Sequence, residues 1–222
     1  MNKILKLSAI ALLASSTSLM AQTKSFEGAY IGAQIGFAGG ELDGSSTSSS
    51  GATGSGSVGK VTVIGGVDLG YGFAAGKDFV FGIGASYIPV KAKLGGGSGT
   101  DSTSGTSINV EVKDHYTLYI QPTFVINPSS AFYLKAQYAH ADLSTSNLTT
   151  STKNLEGWGG GVGLKTMLSS NAFVQVEANY TEYDTVRGTK LNSTGGGTSS
   201  ASADPKVAAG LVTIGYKFYF IK

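Results

Sequence analysis

The chain has 222 residues with 33 glycines, four prolines, no cysteine and a formal net charge of +2. Lack of cysteine excludes disulfides, thiol chemistry and a lipid-anchored N-terminal Cys, and the near-balance of charge offers nothing to a nucleic-acid backbone. Glycine at this density works against helices, where each costs about 1 kcal/mol, and the length suits one domain.

Met1-Asn-Lys-Ile-Leu-Lys6 is a short basic start, followed by the apolar run Leu7-Ser-Ala-Ile-Ala-Leu-Leu-Ala14 and by Ser18-Leu-Met-Ala21. This order reads as a secretory signal peptide over residues 1–21, cut after Ala21. A membrane anchor helix needs about 20 apolar residues, and Ser15 to Ser18 interrupt this one. Removing Lys3 and Lys6 lowers the basic residues from 16 to 14, equal to the 14 acidic ones. The mature chain, 22–222, is formally neutral.

Beyond that segment the apolar residues recur with period two, the signature of strands. The first strand, Glu27 to Gly39, sets Ala29, Ile31, Ala33, Ile35 and Phe37 against Gly28, Tyr30, Gly32, Gln34 and Gly36. The second, Lys60 to Phe73, opposes Val61, Val63, Val67, Leu69, Tyr71 and Phe73 to Thr62, Ile64, Gly66, Asp68 and Gly70. Phe79, Phe81, Ile83 and Tyr87 mark the third, Phe79 to Lys91. Tyr116, Leu118, Ile120 and Phe124 mark the fourth, Ile108 to Val125, opposite His115, Thr117, Tyr119, Gln121 and Thr123. The fifth, Ala131 to Leu143, alternates Phe132, Leu134 and Tyr138 with Tyr133, Lys135 and Gln137. The sixth, Gly157 to Leu168, has Trp158, Val162 and Leu164 opposite Gly159, Gly161, Gly163 and Lys165. In the seventh, Ala172 to Tyr183, Val174, Val176 and Tyr180 oppose Gln175, Glu177, Asn179 and Thr181. The last, Gly210 to Phe220, divides Val212, Ile214, Tyr216, Phe218 and Phe220 from Leu211, Thr213, Gly215 and Lys217.

The connections alternate in length. Those near 40–59, 92–107, 144–156 and 184–206 are long and rich in Ser, Thr and Gly, which predicts mobile loops. Those at 74–78, 126–130 and 169–171 are short, and Asn127-Pro128-Ser129 and Ser169-Ser170-Asn171 suit tight turns. Short turns at one end and long loops at the other are the pattern of an outer-membrane barrel. Eight strands with four long and three short connections put both termini on the short-turn, periplasmic side. A soluble sandwich or lipocalin-like barrel would instead turn the large apolar set inward. It would then leave Gly66, Gly82 and Gly161 exposed on strand surfaces, where glycine weakens a strand without return. The expected fold is therefore all-β, an eight-stranded antiparallel transmembrane β-barrel whose narrow interior is filled by side chains.

Its outward aromatics fall into two groups, as interfacial belts require. Tyr71, Phe73, Phe79, Phe81, Phe124, Phe132, Phe218 and Phe220 lie near the short turns, and Phe37, Tyr87, Tyr116, Tyr138, Trp158 and Tyr180 lie towards the other rim. The inward set carries Asp68, Lys135, Lys165, Glu177 and Lys217 at similar distances from the short turns. Isolated charges there are costly and paired ones tolerable. The expectation is one structural network that, with Gln34, Gln121, Gln137 and Gln175, blocks the lumen. The alternative is a narrow ion-conducting pore.

Phe26-Glu-Gly-Ala-Tyr-Ile-Gly-Ala-Gln-Ile-Gly36 together with the terminal strand from Gly210 to Phe218 resembles the small outer-membrane β-barrel family. That family includes opacity and surface-antigen proteins and is related in form to the OmpA membrane domain and OmpX. The resemblance fits a monomer in the outer membrane of a Gram-negative bacterium, and no cofactor or metal is expected. Its implied partners are outer-membrane lipids and lipopolysaccharide, the barrel-assembly machinery, and a host or cell-surface ligand for the loops. Tyr216, Phe218 and Phe220 would carry the C-terminal assembly signal, although such chains often end at the phenylalanine that Tyr219-Phe-Ile-Lys222 here extends.

Some eight-stranded barrels act on lipid A, which makes His140, Asp142 and Ser144, on one strand face, the candidate enzymatic set. A polar rim where the strand leaves the bilayer explains them as well, and His115 points inward near that rim. Glycine-rich runs such as Gly157 to Gly163 lack the lysine of a phosphate-binding loop, and no His or Cys cluster suggests a structural metal. The leading functional reading is non-enzymatic: an envelope protein or adhesin-like surface protein. A lipid A-modifying enzyme is the alternative.

Overall fold

The computed structural model describes residues 22–47, 53–89, 92–94, 109–146, 149–150, 154–191 and 198–218. The strands among them are β1 (Gly28–Thr47), β2 (Thr53–Ala74), β3 (Phe79–Ile88), β4 (Ala92–Leu94), β5 (Asn109–Asn127) and β6 (Ser130–Ser146), then β7 (Thr149–Thr150), β8 (Asn154–Met167), β9 (Ala172–Tyr183), β10 (Val186–Leu191) and β11 (Thr198–Phe218). β1, β2, β3, β5, β6, β8, β9 and β11 pair antiparallel in chain order, and β11 returns to β1. Every long strand thus has two neighbours and the sheet closes as an eight-stranded barrel. β4, β7 and β10 add short pieces beyond it.

The stagger of that closure can be followed through the pairing. From Ile31 the partners run through Leu69, Ala85, Leu118, Tyr138, Trp158, Glu182 and Lys206 and come back to Glu41, ten residues further along β1. A closed sheet reaches such a stagger by tilting its strands roughly 35–45° from the axis. The fixed register then commits each residue to one face, since a slip of one would exchange inside and outside.

The faces are inverted relative to a water-soluble protein. Trp158 is 72 % exposed, Ile214 64 % and Ile35 61 %, whereas Asp68 is 1 % and Glu177 4 % exposed. The interior is layered. At the short-turn end a 3₁₀ turn over Thr23–Ser25 places Phe26 against Val80, Val125 and Ala131, a small apolar floor. Above it lie the charged residues and large aromatic rings, and above those an open chamber.

Each inward ring of the middle layer faces a glycine directly across the ladder. Tyr30 is the partner of Gly70, Tyr119 of Gly84, Tyr133 of Gly163 and Phe173 of Gly215. A Cβ built on Gly84 or Gly163 would overlap the facing tyrosine ring. The glycines make room for the rings to lie across the lumen, and the rings cover backbone that a missing side chain would leave bare. These glycines of the inward flank are therefore the seats of large side chains.

Strand ends depart from expectation on the long-loop side. The connection read as a loop near 40–59 is mostly a continued hairpin, paired up to Thr47 and Thr53. β11 begins at Thr198, not at Gly210, and stays paired to β1 through this region. Most of the segment near 184–206 is likewise strand, in β10 and the start of β11. Outside an apolar solvent both faces of a strand are polar. Period two then vanishes from the sequence while the backbone ladder, indifferent to Ser, Thr and Gly side chains, runs on. β3 ends early, at Ile88, because Pro89 has no N–H for the next rung. In β5 the register shifts between Lys113 and Tyr116, where Asp114 has φ 49° and accepts a hydrogen bond from the Tyr87 hydroxyl at 2.7 Å. A local bulge bends the strand there, which stays continuous over Asn109–Asn127.

Gly163→Val is expected to lower stability by about 1–3 kcal/mol, because the new side chain must displace the Tyr133 ring. Combining it with Tyr133→Ala should cost less than the sum of the single changes. Urea unfolding of the barrel in lipid vesicles checks both.

Candidate functional site, the filled lumen

Strand alternation sends Tyr30, Asp68, Tyr119, Tyr133, Lys135, Lys165, Phe173 and Glu177 into one layer of the interior. Tyr119 donates its hydroxyl proton to Asp68 Oδ1 at 2.8 Å, and its oxygen lies 2.8 Å from the Tyr30 hydroxyl. A hydroxyl has one proton, so Tyr30 is the donor in that second bond. The chain of protons ends on the carboxylate.

Glu177 is the second centre. Its Oε2 is paired with Lys135 Nζ and accepts the Tyr133 hydroxyl at 2.9 Å. Its Oε1 accepts Asn179 Nδ2 at 2.9 Å. Lys135 Nζ also stands 4.3 Å from the Tyr119 ring centroid, which ties the two centres together. Lys165 Nζ lies 4.1 Å from the Tyr30 centroid and 4.6 Å from that of Phe173, whose ring meets Tyr30 edge-on at 5.6 Å. A desolvated ammonium over such a ring gains about 2 kcal/mol. Lys217 reaches downward, donating to the Lys24 carbonyl at 2.6 Å.

Of the five charges predicted to share a network, Lys135 and Glu177 are in direct contact. Asp68 and Lys165 join them through tyrosine hydroxyls and ring faces, and Lys217 sits at the floor against the 3₁₀ turn. Gln34, Gln121, Gln137 and Gln175 are buried, and Gln137 Nε2 donates to Thr181 Oγ1 at 2.8 Å. The rings that connect the charges went unassigned in the sequence reading. Their signal was present: inward parity, with a glycine on the neighbouring strand.

Above the layer lies a cavity of about 110 Å3, from Lys135 and Glu177 up to Gly40 and Pro205. His115 is in its wall and its Nε2 lies 2.7 Å from the Tyr183 hydroxyl. His140, in contrast, faces outward. It stacks on Tyr116 with centroids 4.8 Å apart, and lies 3.8 Å from Asp142 Oδ1 and 3.8 Å from Glu156 Oε1. Both separations exceed a hydrogen bond, so neither of these carboxylates is hydrogen-bonded to the imidazole, and the Ser144 side chain lies outside the described residues. Among the described residues no group of three His, Asp or Glu side chains could hold a metal. Tyr216 and Phe218 point outward, 49 % and 45 % exposed, and Phe220 lies outside the described residues.

On the exterior, Phe37, Tyr116, Tyr138, Trp158 and Tyr180 are followed within two to four residues towards the long-loop end by Glu41, Asp114, Asp142, Glu156 and Glu182. An apolar band ends there in aromatic rings and then in charge. A closed sheet with no edge, apolar outside and polar inside, is the form a β-protein takes when hydrocarbon is its solvent. These features define a transmembrane β-barrel.

The chain belongs to the outer membrane protein beta-barrel domain family, whose model matches residues 9–218. No curated protein matches the sequence. Among solved structures it is similar to the outer membrane protein OprG of Pseudomonas aeruginosa, with a TM-score of 0.59 and 14 % identity over 87 % of this chain and 98 % of that one. It also matches Ail, the attachment invasion locus protein of Yersinia pestis, in complex with a heparin analogue, with a TM-score of 0.47 and 14 % identity over 86 % and 99 % of the two chains. The outer membrane protease OmpT of Escherichia coli matches with a TM-score of 0.46 and 9 % identity over 86 % and 96 %. The fold is that of the small outer-membrane barrels, and the protein's place is the outer membrane.

Removing one partner of the Lys135–Glu177 pair leaves the other charge buried, at a cost of about 3–5 kcal/mol. Glu177→Leu is expected to destabilise the barrel by that amount, and the double variant Lys135→Leu/Glu177→Leu by clearly less. The same vesicle unfolding assay measures the cycle.

Proposed function

We propose that this protein is a non-conducting, non-enzymatic barrel whose work is done at the cell surface, as an envelope or adhesin-like protein. The observation that carries the reading is the filled middle layer. Side chains of β1, β2, β5, β6, β8 and β9 meet there, hydrogen-bonded or stacked. A lumen occupied in this way offers ions no continuous water path, and the chemistry left to the molecule is that of its outer rim.

In this reading residues 1–21 direct export and are removed after Ala21. The assembly machinery reads Tyr216, Phe218 and Phe220, and both termini lie in the periplasm, beside the short turns. The monomer contacts outer-membrane lipids and lipopolysaccharide through its apolar band. The connections near 40–59, 92–107, 144–156 and 184–206 stand outside the cell, built on the extended β1–β2 and β10–β11 hairpins, and meet a host or cell-surface ligand. The separation of His140 from its nearest carboxylates supports the non-enzymatic part.

Purified protein in planar bilayers is expected to give no stable conductance steps; large, regular steps would refute the closed lumen. Lipid A from cells with and without the protein should have identical mass spectra, and a missing or added acyl chain would assign the protein to lipid A chemistry instead.

A further inference from the structure

β1 and β11 are neighbours in the barrel without being neighbours in the chain. Every other adjacent pair of the eight long strands is consecutive in the sequence, apart from the short pieces β4, β7 and β10. A connecting loop keeps such a pair close even when its ladder frays. The β1–β11 seam has its ladder alone, from the pair Ala29 and Phe218 to the pair Thr47 and Ser200. At the long-loop end side chains reinforce it. Lys206 Nζ lies 3.3 Å from Asp43 Oδ2, and the Ser45 and Ser202 hydroxyls are 3.0 Å apart.

At the short-turn end the chain itself crosses the mouth. Gly28 has φ 106°, and a Cβ there would stand 2.9 Å from the Phe218 carbonyl oxygen. Glycine at this position lets the chain leave the wall and run over the floor. The turn over Thr23–Ser25 is closed by the Phe26 and Glu27 amides, which donate to the Thr23 carbonyl at 2.9 and 3.1 Å. Thr23 is fully buried, and its hydroxyl donates to the Gly76 carbonyl between β2 and β3 at 3.4 Å. Phe26 packs against Val80 of β3, Val125 of β5 and Ala131 of β6. From the last strand, Lys217 Nζ donates to the Lys24 carbonyl at 2.6 Å. Lys217 is only 3 % exposed. Its backbone is fixed by Asn171, whose carbonyl accepts the Lys217 amide at 2.7 Å and whose Nδ2 donates to the Lys217 carbonyl at 2.9 Å. Residues 23–26 thus tie β11 to the β2–β3 turn and to the lower walls of β3, β5 and β6.

We propose that residues 23–26 are a strap that closes the β1–β11 seam at its short-turn end, in place of the hairpin the seam lacks. The Lys217 ammonium is its catch and the Phe26 ring its anchor. Within hydrocarbon an opened ladder leaves N–H and C=O groups with no water to take them. Opening therefore starts at the ends of the ladder, and the strap guards the end where no extended hairpin does so. The proposal holds whatever the surface hairpins bind.

Amide hydrogen exchange, followed by NMR on residues 22–222 folded in detergent micelles, tests the strap. Lys217→Met keeps the stem and loses the donor. Amides of residues 29–35 and 212–218 should then exchange about tenfold faster or more, the worth of a hydrogen bond from a charged group. Phe26→Ala, which frees the anchor, should accelerate the same amides. Those of residues 134–138 and 158–162, on the β6–β8 ladder, should stay within about twofold, since local opening is not shared by the whole sheet. Both changes release one strap, so the double variant should exchange no faster at the seam than the faster single one. Circular dichroism confirms the β-sheet of each variant, and either single variant that folds decides the location. Unchanged exchange at the seam, or equal acceleration at the seam and on β6–β8, overturns the strap. Additive effects of the two changes would make Lys217 and Phe26 separate contacts and overturn it as well.

Discussion

Closure of eight strands with a ten-residue stagger is the constraint on which the rest of this molecule depends. It leaves an interior too narrow for two bulky side chains on neighbouring strands at the same height. The chain meets that limit by pairing each inward ring of the middle layer with a glycine across the ladder, as Tyr133 with Gly163 and Tyr119 with Gly84. A ring lying over glycine covers the neighbouring strand and reaches the next, as the Tyr119 hydroxyl does to within 3.4 Å of the Leu69 carbonyl. The hydroxyls are carried to the centre, where Asp68 and Glu177 receive them.

The charged layer follows from that geometry. Lys135, Lys165, Asp68 and Glu177 contribute amines and carboxyls in equal number, so the layer can balance its own charge within the wall that surrounds it. Ring faces do part of the work usually left to counter-ions, as with Lys165 between Tyr30 and Phe173. Buried ion pairs are weak sources of net stability, because desolvation offsets their attraction. Any rotation that separates Lys135 from Glu177 would strand two charges at once.

Above this layer the lumen changes character. Polar filling gives way to a hollow lined by Ile64, Leu155 and Leu211 together with Thr62, Ser86 and Thr117, and the strands continue beyond the aromatic belt of the long-loop side as paired hairpins, β1 with β2 and β10 with β11. Among the described residues the lumen is thus packed low and hollow high.

The sequence by itself determined which residues face out and which face in. Period two survives any uncertainty about strand ends, and the inversion of its two faces, Val212, Ile214 and Tyr216 against Thr213 and Lys217, specifies the solvent. It also showed the alternation of short and long connections, hence the barrel and its strand number. Only the tertiary structure decided which inward groups meet. Lys135 and Glu177 are far apart in sequence, and Tyr30, Tyr119 and Asp68 come from three different strands. Their contact rests on the stagger, which no single strand encodes. The outer limits of β1, β2 and β11 were hidden for a related reason. Where lipid gives way to water on both faces, the side chains cease to report a ladder that the backbone still carries.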